Sequence, residues 1–141
     1  ENMDDEKRFG AIKAQSLKEF EGTYGIEARE RYGNAAIDAT NERIMSLTRD
    51  EWDAKDLLEE AIKVQLRLAM ASGDPKGDEA AELARMHERW IRIHWGEAYD
   101  RETHLALVRG YLDDPRFRDY YDAAAGDGGT EFLVRALEAN L

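Results

Sequence analysis

Apolar residues in this chain recur at intervals of three and four almost from end to end, and Pro75 and Pro115 are the only prolines in 141 residues. That spacing lines one face of a helix, while proline in a helix interior removes a hydrogen bond and clashes with the preceding turn. A chain so patterned is expected to be all-α. Its length suits one domain, long enough to bury a core, and residues 1–141 are read as a single unit.

The helix ends can be read from capping chemistry. In Leu47-Thr48-Arg49-Asp50-Glu51-Trp52, the Thr48 hydroxyl can accept from the Glu51 amide while the Glu51 carboxylate reaches back to the Thr48 amide. Leu47 and Trp52 take the two positions of a hydrophobic staple. Leu57, Leu58, Ala61, Ile62, Leu66, Ala69 and Met70 then keep one broad face apolar until Ser72-Gly73-Asp74-Pro75 stops the helix. A second long helix is expected from Asp78 to Trp95, with Ala80, Leu83, Ala84, His87, Trp90, Ile91 and His94 on its stripe. Asp100 can cap a shorter helix bearing His104, Leu107, Val108 and Tyr111, and Asp114-Pro115 opens another. Thr130 is expected to cap the last helix. Of the first third, Phe9, Ile12, Ser16 and Phe20 share a face expected to end near Glu21-Gly22, and Gly33-Asn34 reads as a stop and a new start. Three short helices with so little apolar surface should be the least stable part of the fold, ordered by packing or by ligand.

Charge and composition narrow the function. The formal net charge is -11 at pH 7, a sign that repels phosphate backbones, so direct nucleic-acid binding is not expected. With no cysteine there is neither a disulfide framework nor a thiolate, which suits the cytoplasm. The longest apolar stretch falls far short of the roughly 20 residues that span a bilayer, and the acidic start does not resemble a secretory signal. No nucleophile-elbow serine or phosphate-cradling glycine loop is present. His87 and His94 lie two turns apart, too far for the chelate formed by a His pair at i and i+4, and His104 belongs to a different helix. No metal or cofactor is expected, and the many paired carboxylates read best as a solvated face.

The unusual concentration is aromatic and polar together: Trp90, His94, Trp95, Tyr99, His104, Tyr111, then Phe117, Tyr120 and Tyr121. Rings with a polar tip suit a pocket for a bulky, flat, partly polar ligand, and they equally suit the core of a small helical domain. Composition leaves both open.

Several segments in order resemble the TipAS antibiotic-recognition family. Tyr24-Gly25-Ile26-Glu27-Ala28-Arg29-Glu30-Arg31-Tyr32-Gly33 is similar to its E-E-A-R-E-R-[WY]-G signature, and Ser46 to Trp52 to its Y-T-K-E-D-W segment. Met86-His87-Glu88-Arg89-Trp90 resembles L-H-x-x-W, and Tyr99 to Leu107 resembles Y-S-K-E-A-H-x-G-L. Tyr111-Leu112-Asp113-Asp114-Pro115-Arg116-Phe117 is the strongest piece, followed by Tyr120-Tyr121-Asp122 and Thr130-Glu131-Phe132-Leu133. The resemblance runs from about Arg8 to Asn140.

It implies a compact globin-like helical domain that captures bulky antibiotics such as thiopeptides, or albicidin in a related branch. Such a domain acts as the effector half of a MerR-type transcription activator or as a stand-alone drug-sequestering protein, and not as an enzyme. Residues 3–21 would be the tail of a linker or dimerisation helix, which leaves a homodimer open. One departure matters: thiopeptide-binding members carry a cysteine shortly before a Met-His pair. Thr103-His104 takes the place of that pair here, and Tyr99 falls at the cysteine. A phenol of pKa about 10 is a poor nucleophile at neutral pH, so binding is expected to be noncovalent. The ligand is expected between the early helices and the aromatic half, with Trp90, His94, Trp95, Tyr99, His104 and Tyr111 supplying stacking and hydrogen bonds. Trp90, His104 and Tyr111 have an equal claim as core residues, and stripe position puts His94 and Tyr99 nearer the mouth. The competing readings are a structural or dimerisation module without a small ligand, and a haem protein or enzyme using His87, His94 or His104.

Overall fold

The computed structural model describes residues 3–141, and the described residues form an all-α domain. The α-helices are α1 (Met3–Phe20), α2 (Ile26–Tyr32), α3 (Asn34–Met45), α4 (Arg49–Ser72), α5 (Asp78–Trp95), α6 (Arg101–Gly110), α7 (Pro115–Ala125) and α8 (Gly129–Asn140). None of them is long and apolar enough to cross a membrane.

The long helices start and stop where their caps dictate. Thr48 and Glu51 form the reciprocal cap of α4, with the Glu51 amide donating to the Thr48 hydroxyl at 3.2 Å and the Thr48 amide donating to the Glu51 carboxylate at 2.8 Å. Such a cap stabilises a helix start by about 1 kcal/mol. Gly73 ends α4 in the left-handed conformation, and a short loop returns the chain as α5. Asp100 and Asp114 cap α6 and α7 as expected, with Pro115 in the first turn of α7.

The α4–α5 hairpin forms one wall of the core and α8 fills it. Leu66 of α4, Leu83 of α5, Val108 of α6, and Leu133 and Leu137 of α8 have no exposed surface. The fully connected buried cluster draws its members from Ile62 onward, with none from α1, α2 or α3. The early helices are held by a few apolar contacts, among them Phe9 against Trp52, and by long cationic side chains. Lys13, itself buried, donates to the carbonyls of Met45 (2.6 Å) and Leu47 (3.0 Å), satisfying groups that α3 leaves open at its end. Arg43 does the same for α5, donating to the carbonyls of His94 (3.2 Å) and Trp95 (3.0 Å). Its guanidinium packs on Gly96, whose φ of 57° and missing Cβ allow the approach.

Two local expectations give way. The chain does not break at Glu21-Gly22: a π-helical turn, Glu21–Gly25, carries α1 into α2. The Glu21 carboxylate accepts from both Arg29 (2.6 Å) and Asn41 (3.1 Å), and Gly25 leaves room for it, so the turn is fixed by partners eight and twenty residues away. At the other end, Thr130 lies inside α8 rather than at its cap. Asp122 of α7 accepts from both the Thr130 amide and its hydroxyl, each at 2.9 Å, so the cap is supplied from a neighbouring helix.

Candidate ligand-binding cavity

A cavity of about 220 Å³ opens where α4, α5 and α7 diverge. The middle turns of α4 contribute Glu59, Ile62 and Lys63, and α5 contributes His87 and Trp90. Tyr111, in the 3-10 turn between α6 and α7, and Phe117, Tyr120 and Tyr121 of α7 form an aromatic wall. Tyr24, in the π-helical turn, closes the remaining side with Arg116. The rings are ordered against one another: Tyr111 stacks on Phe117 (4.7 Å between centroids) and on Tyr121 (5.2 Å), and Tyr24 stacks on Phe117 from the other side (5.6 Å). Such pairs are worth about 0.5–1.5 kcal/mol beyond the area they bury. A second, larger hollow of about 530 Å³ lies open to solvent between the Asp74–Lys76 loop and the end of α8, but no aromatic side chain lines it.

Behind the cavity wall lies a chain of polar rings. The Tyr99 phenol and His104 Nδ1 are 2.8 Å apart, and His104 Nε2 and His87 Nδ1 are 2.8 Å apart. The two imidazoles are buried and nearly parallel, with centroids 5.0 Å apart. Burial pushes their pKa down, to about 3 for His87 and about 4 for His104, so both are neutral at pH 7. The remaining nitrogen of His87, Nε2, is buried and has no hydrogen-bond partner, and neither has Trp90 Nε1. Burial likewise raises the Tyr111 and Tyr121 phenols and the Glu59 carboxyl.

Of the residues expected to form a site, Trp90 and Tyr111 line this cavity. His94 sits against Trp90, its centroid 4.4 Å away, and its Nδ1 donates to the Trp90 carbonyl. Trp95, Tyr99 and His104 group on the far side of α5, with Tyr32 of α2 resting 6.3 Å from Trp95. None of these four lines the cavity, and Tyr99 meets it only through two histidines. Lys63 over the Tyr120 ring (5.2 Å) and Arg116 over the Tyr24 ring (4.6 Å) carry charge to the mouth. The helical stripe could have pointed to His87, which shares it with Trp90. Nothing local pointed to Tyr24, since its partner Phe117 is remote in sequence.

The model of the TipAS antibiotic-recognition domain matches residues 24–140. The chain belongs to the TipAS family. The match begins at Tyr24, so it takes in every residue lining the TipAS cavity described above. No curated protein and no solved structure matches the chain.

Within this TipAS domain, Tyr99 has nothing of the character of a nucleophile. Burial first, and then the nearby Glu88 carboxylate, push its phenol above the usual tyrosine range. Its hydroxyl is also occupied with His104.

Proposed function

We propose that this domain binds bulky antibiotic-like molecules noncovalently in the aromatic cavity between α4, α5 and α7. It would work as the effector domain of a MerR-type regulator or as a stand-alone drug-sequestering protein, without catalysing a reaction. The observation that carries this reading is a ring-lined cavity two of whose lining residues, His87 and Trp90, each hold a buried polar atom with no partner. Leaving such an atom unsatisfied costs about 1–3 kcal/mol, which a guest with complementary polar groups would recover. His94, Trp95, Tyr99 and His104 then act from behind the wall, supporting Trp90 and His87 rather than touching the guest.

At about 220 Å³ the cavity is smaller than the roughly 300–1,000 Å³ of drug-sized sites. A bulky guest must therefore displace a wall, and the side closed by Tyr24, which lies outside the buried core cluster, is the candidate. Beyond the Tyr24–Phe117 stack, it is tied by Arg116, which donates to Glu27 at 2.8 Å in a largely exposed ion pair. Exposed pairs of this kind contribute little and are screened by salt. The net charge of -11 argues against direct contact with DNA by these residues.

A thermal-shift series against thiopeptides and albicidin-like compounds tests the proposal. A guest at a hundred times its Kd stabilises the native state by about 2.7 kcal/mol. Stabilisation that disappears in Trp90→Ala, with the fold intact by circular dichroism, is the expected result. Stabilisation unaffected by Trp90→Ala would contradict the site, and a panel without any stabilising member would contradict the function. The exposed Leu57, Val64 and Leu68 on one face of α4 favour a second reading, an interaction module. That reading gains if the chain self-associates and Leu68→Lys abolishes the association.

A further inference from the structure

Among the described residues, three buried side-chain polar atoms have no hydrogen-bond partner, and two of them, His87 Nε2 and Trp90 Nε1, belong to residues that line the cavity. The third, Glu131 Oε1, is part of a carboxylate whose other oxygen is held by Arg118 at 2.8 Å. The cavity pair is different in kind. The indole nitrogen can only donate, whereas the imidazole nitrogen donates or accepts according to its tautomer.

That tautomer is set from outside the cavity. Tyr99, His104 and His87 are linked in series at 2.8 Å per step, so fixing the proton at one end fixes it at the other. At the outer end a phenol meets an imidazole nitrogen. The imidazole nitrogen is far the more basic partner and the phenol the better donor, so O–H donates to His104 Nδ1. The Arg92 guanidinium, 4.0 Å from the centre of the Tyr99 ring, withdraws electron density from the phenol and strengthens that direction. With Nδ1 accepting, neutral His104 carries its proton on Nε2 and donates to His87 Nδ1. Neutral His87 then carries its proton on Nε2.

We propose that the Tyr99–His104–His87 series is a positioning relay that holds His87 as an Nε2–H donor, so that the cavity selects guests presenting a carbonyl-type oxygen acceptor to His87 and Trp90. The idea rests on the cavity being the ligand site. Two donors that no acceptor of the protein reaches disfavour a guest that offers a donor to them, because both N–H groups would stay unpaired. The His87 and Trp90 ring centroids are 6.1 Å apart, close enough for one polar group of a guest to meet both side chains. Tyr99 does not touch the guest. Its role is to choose the proton position two rings away.

Two measurements on the full chain decide this. Long-range proton–nitrogen spectra of the ¹⁵N-labelled protein at pH 7 should show His87 Nε2 protonated and His87 Nδ1 and His104 Nδ1 unprotonated. Tyr99→Phe should convert His87 to a mixture of tautomers, which a merely structural tyrosine would not do. A protonated His87 Nδ1 in the unaltered protein overturns the relay. The second measurement compares benzophenone with diphenylmethane, which share two rings and differ by the carbonyl. Benzophenone should bind about tenfold more tightly, the worth of a well-made hydrogen bond, and Tyr99→Phe should shrink the ratio without weakening diphenylmethane. Equal binding of the two compounds overturns the carbonyl preference. If neither binds while the nitrogen pattern is as stated, the cavity reading itself falls.

Discussion

The first 45 residues and the remainder of the chain are held in place by different physics. From Ile62 onward, helices bury a continuous apolar cluster in which Leu66, Leu83, Val108, Leu133 and Leu137 are wholly covered. In α1 to α3 the buried apolar side chains are Ile37 and Ile44; Lys13 ties α1 to the end of α3 and Arg29 ties α2 to Glu21, while the remainder is met by Arg43 on the carbonyls ending α5, by Arg116 on Glu27, and by the ring contacts Phe9–Trp52, Tyr24–Phe117 and Tyr32–Trp95. Apolar burial is lost all at once when a core opens, whereas an exposed ion pair such as Arg116–Glu27 can exchange partners for water at little cost, and buried Lys13 keeps α1 and α3 together as a unit. One part is therefore a scaffold and the other a cover. The cavity lies on the seam, with most of its wall on the scaffold and Tyr24 on the cover.

The contrast can be broken most forcefully from the scaffold side. Leu83→Ala removes a side chain with no exposed surface and should cost about 2–5 kcal/mol of global stability, measured by urea unfolding, with both parts melting together. Acidification attacks the same region. In the unfolded chain His87 and His104 take up protons near the ordinary histidine pKa of about 6.5, but in the fold only near 3 and 4. Their contribution is thus intact above about pH 6.5 and is lost as pH falls towards 4, at about 1.4 kcal/mol per pH unit for each imidazole. Denaturant titrations between pH 7 and 4.5 should show a shallower slope for His87→Gln, which can still accept from His104 but has no proton to gain. An unchanged slope would mean that the histidines are not buried as described.

The cover should respond locally. Gly96→Ala places a Cβ against the Arg43 guanidinium at a φ of 57° and should cost about 1–3 kcal/mol. Amide exchange in α3 and at the end of α5 should rise first. Lys13→Met leaves two carbonyls without their charged donor and should cost about 1–3 kcal/mol. Its effect should appear as faster exchange in α1 and α3 with α8 unchanged, and equal loss of protection in α8 would erase the distinction between cover and scaffold. The smallest effect is expected of Arg116→Ala: faster exchange over residues 21–32 and no measurable change in the global midpoint.

The scaffold was legible in sequence because its signals are local. Thr48 and Glu51 are three residues apart, Gly73 and Pro75 adjoin the turn they make, and the stripe of α5 repeats within a few turns. The all-α class and the boundaries of α4 and α5 followed from those alone. What escaped was set by distant partners. Asp122 caps α8 in place of Thr130, and Glu21 holds a π-helical turn through Arg29 and Asn41 where Gly22 suggested a break. The aromatic concentration from Trp90 to Tyr121 did mark the right half of the molecule. It could not separate rings that line the cavity, such as Trp90 and Tyr111, from Tyr99 and His104 behind them, because residues on one stripe can face opposite neighbours once other helices pack against it. Lys13 reads as an ordinary solvated lysine until the end of α3 is placed beside it.

The most direct test of a cover closing over a scaffold is amide exchange on the whole chain with and without a bound thiopeptide, read alongside the intact mass. Residues 21–32 and 111–121 should gain protection together, residues 129–140 should not change, and the mass should return to that of the free chain under denaturing conditions. Protection confined to other parts of the chain, or a mass increased by the drug, would contradict noncovalent capture in this cavity.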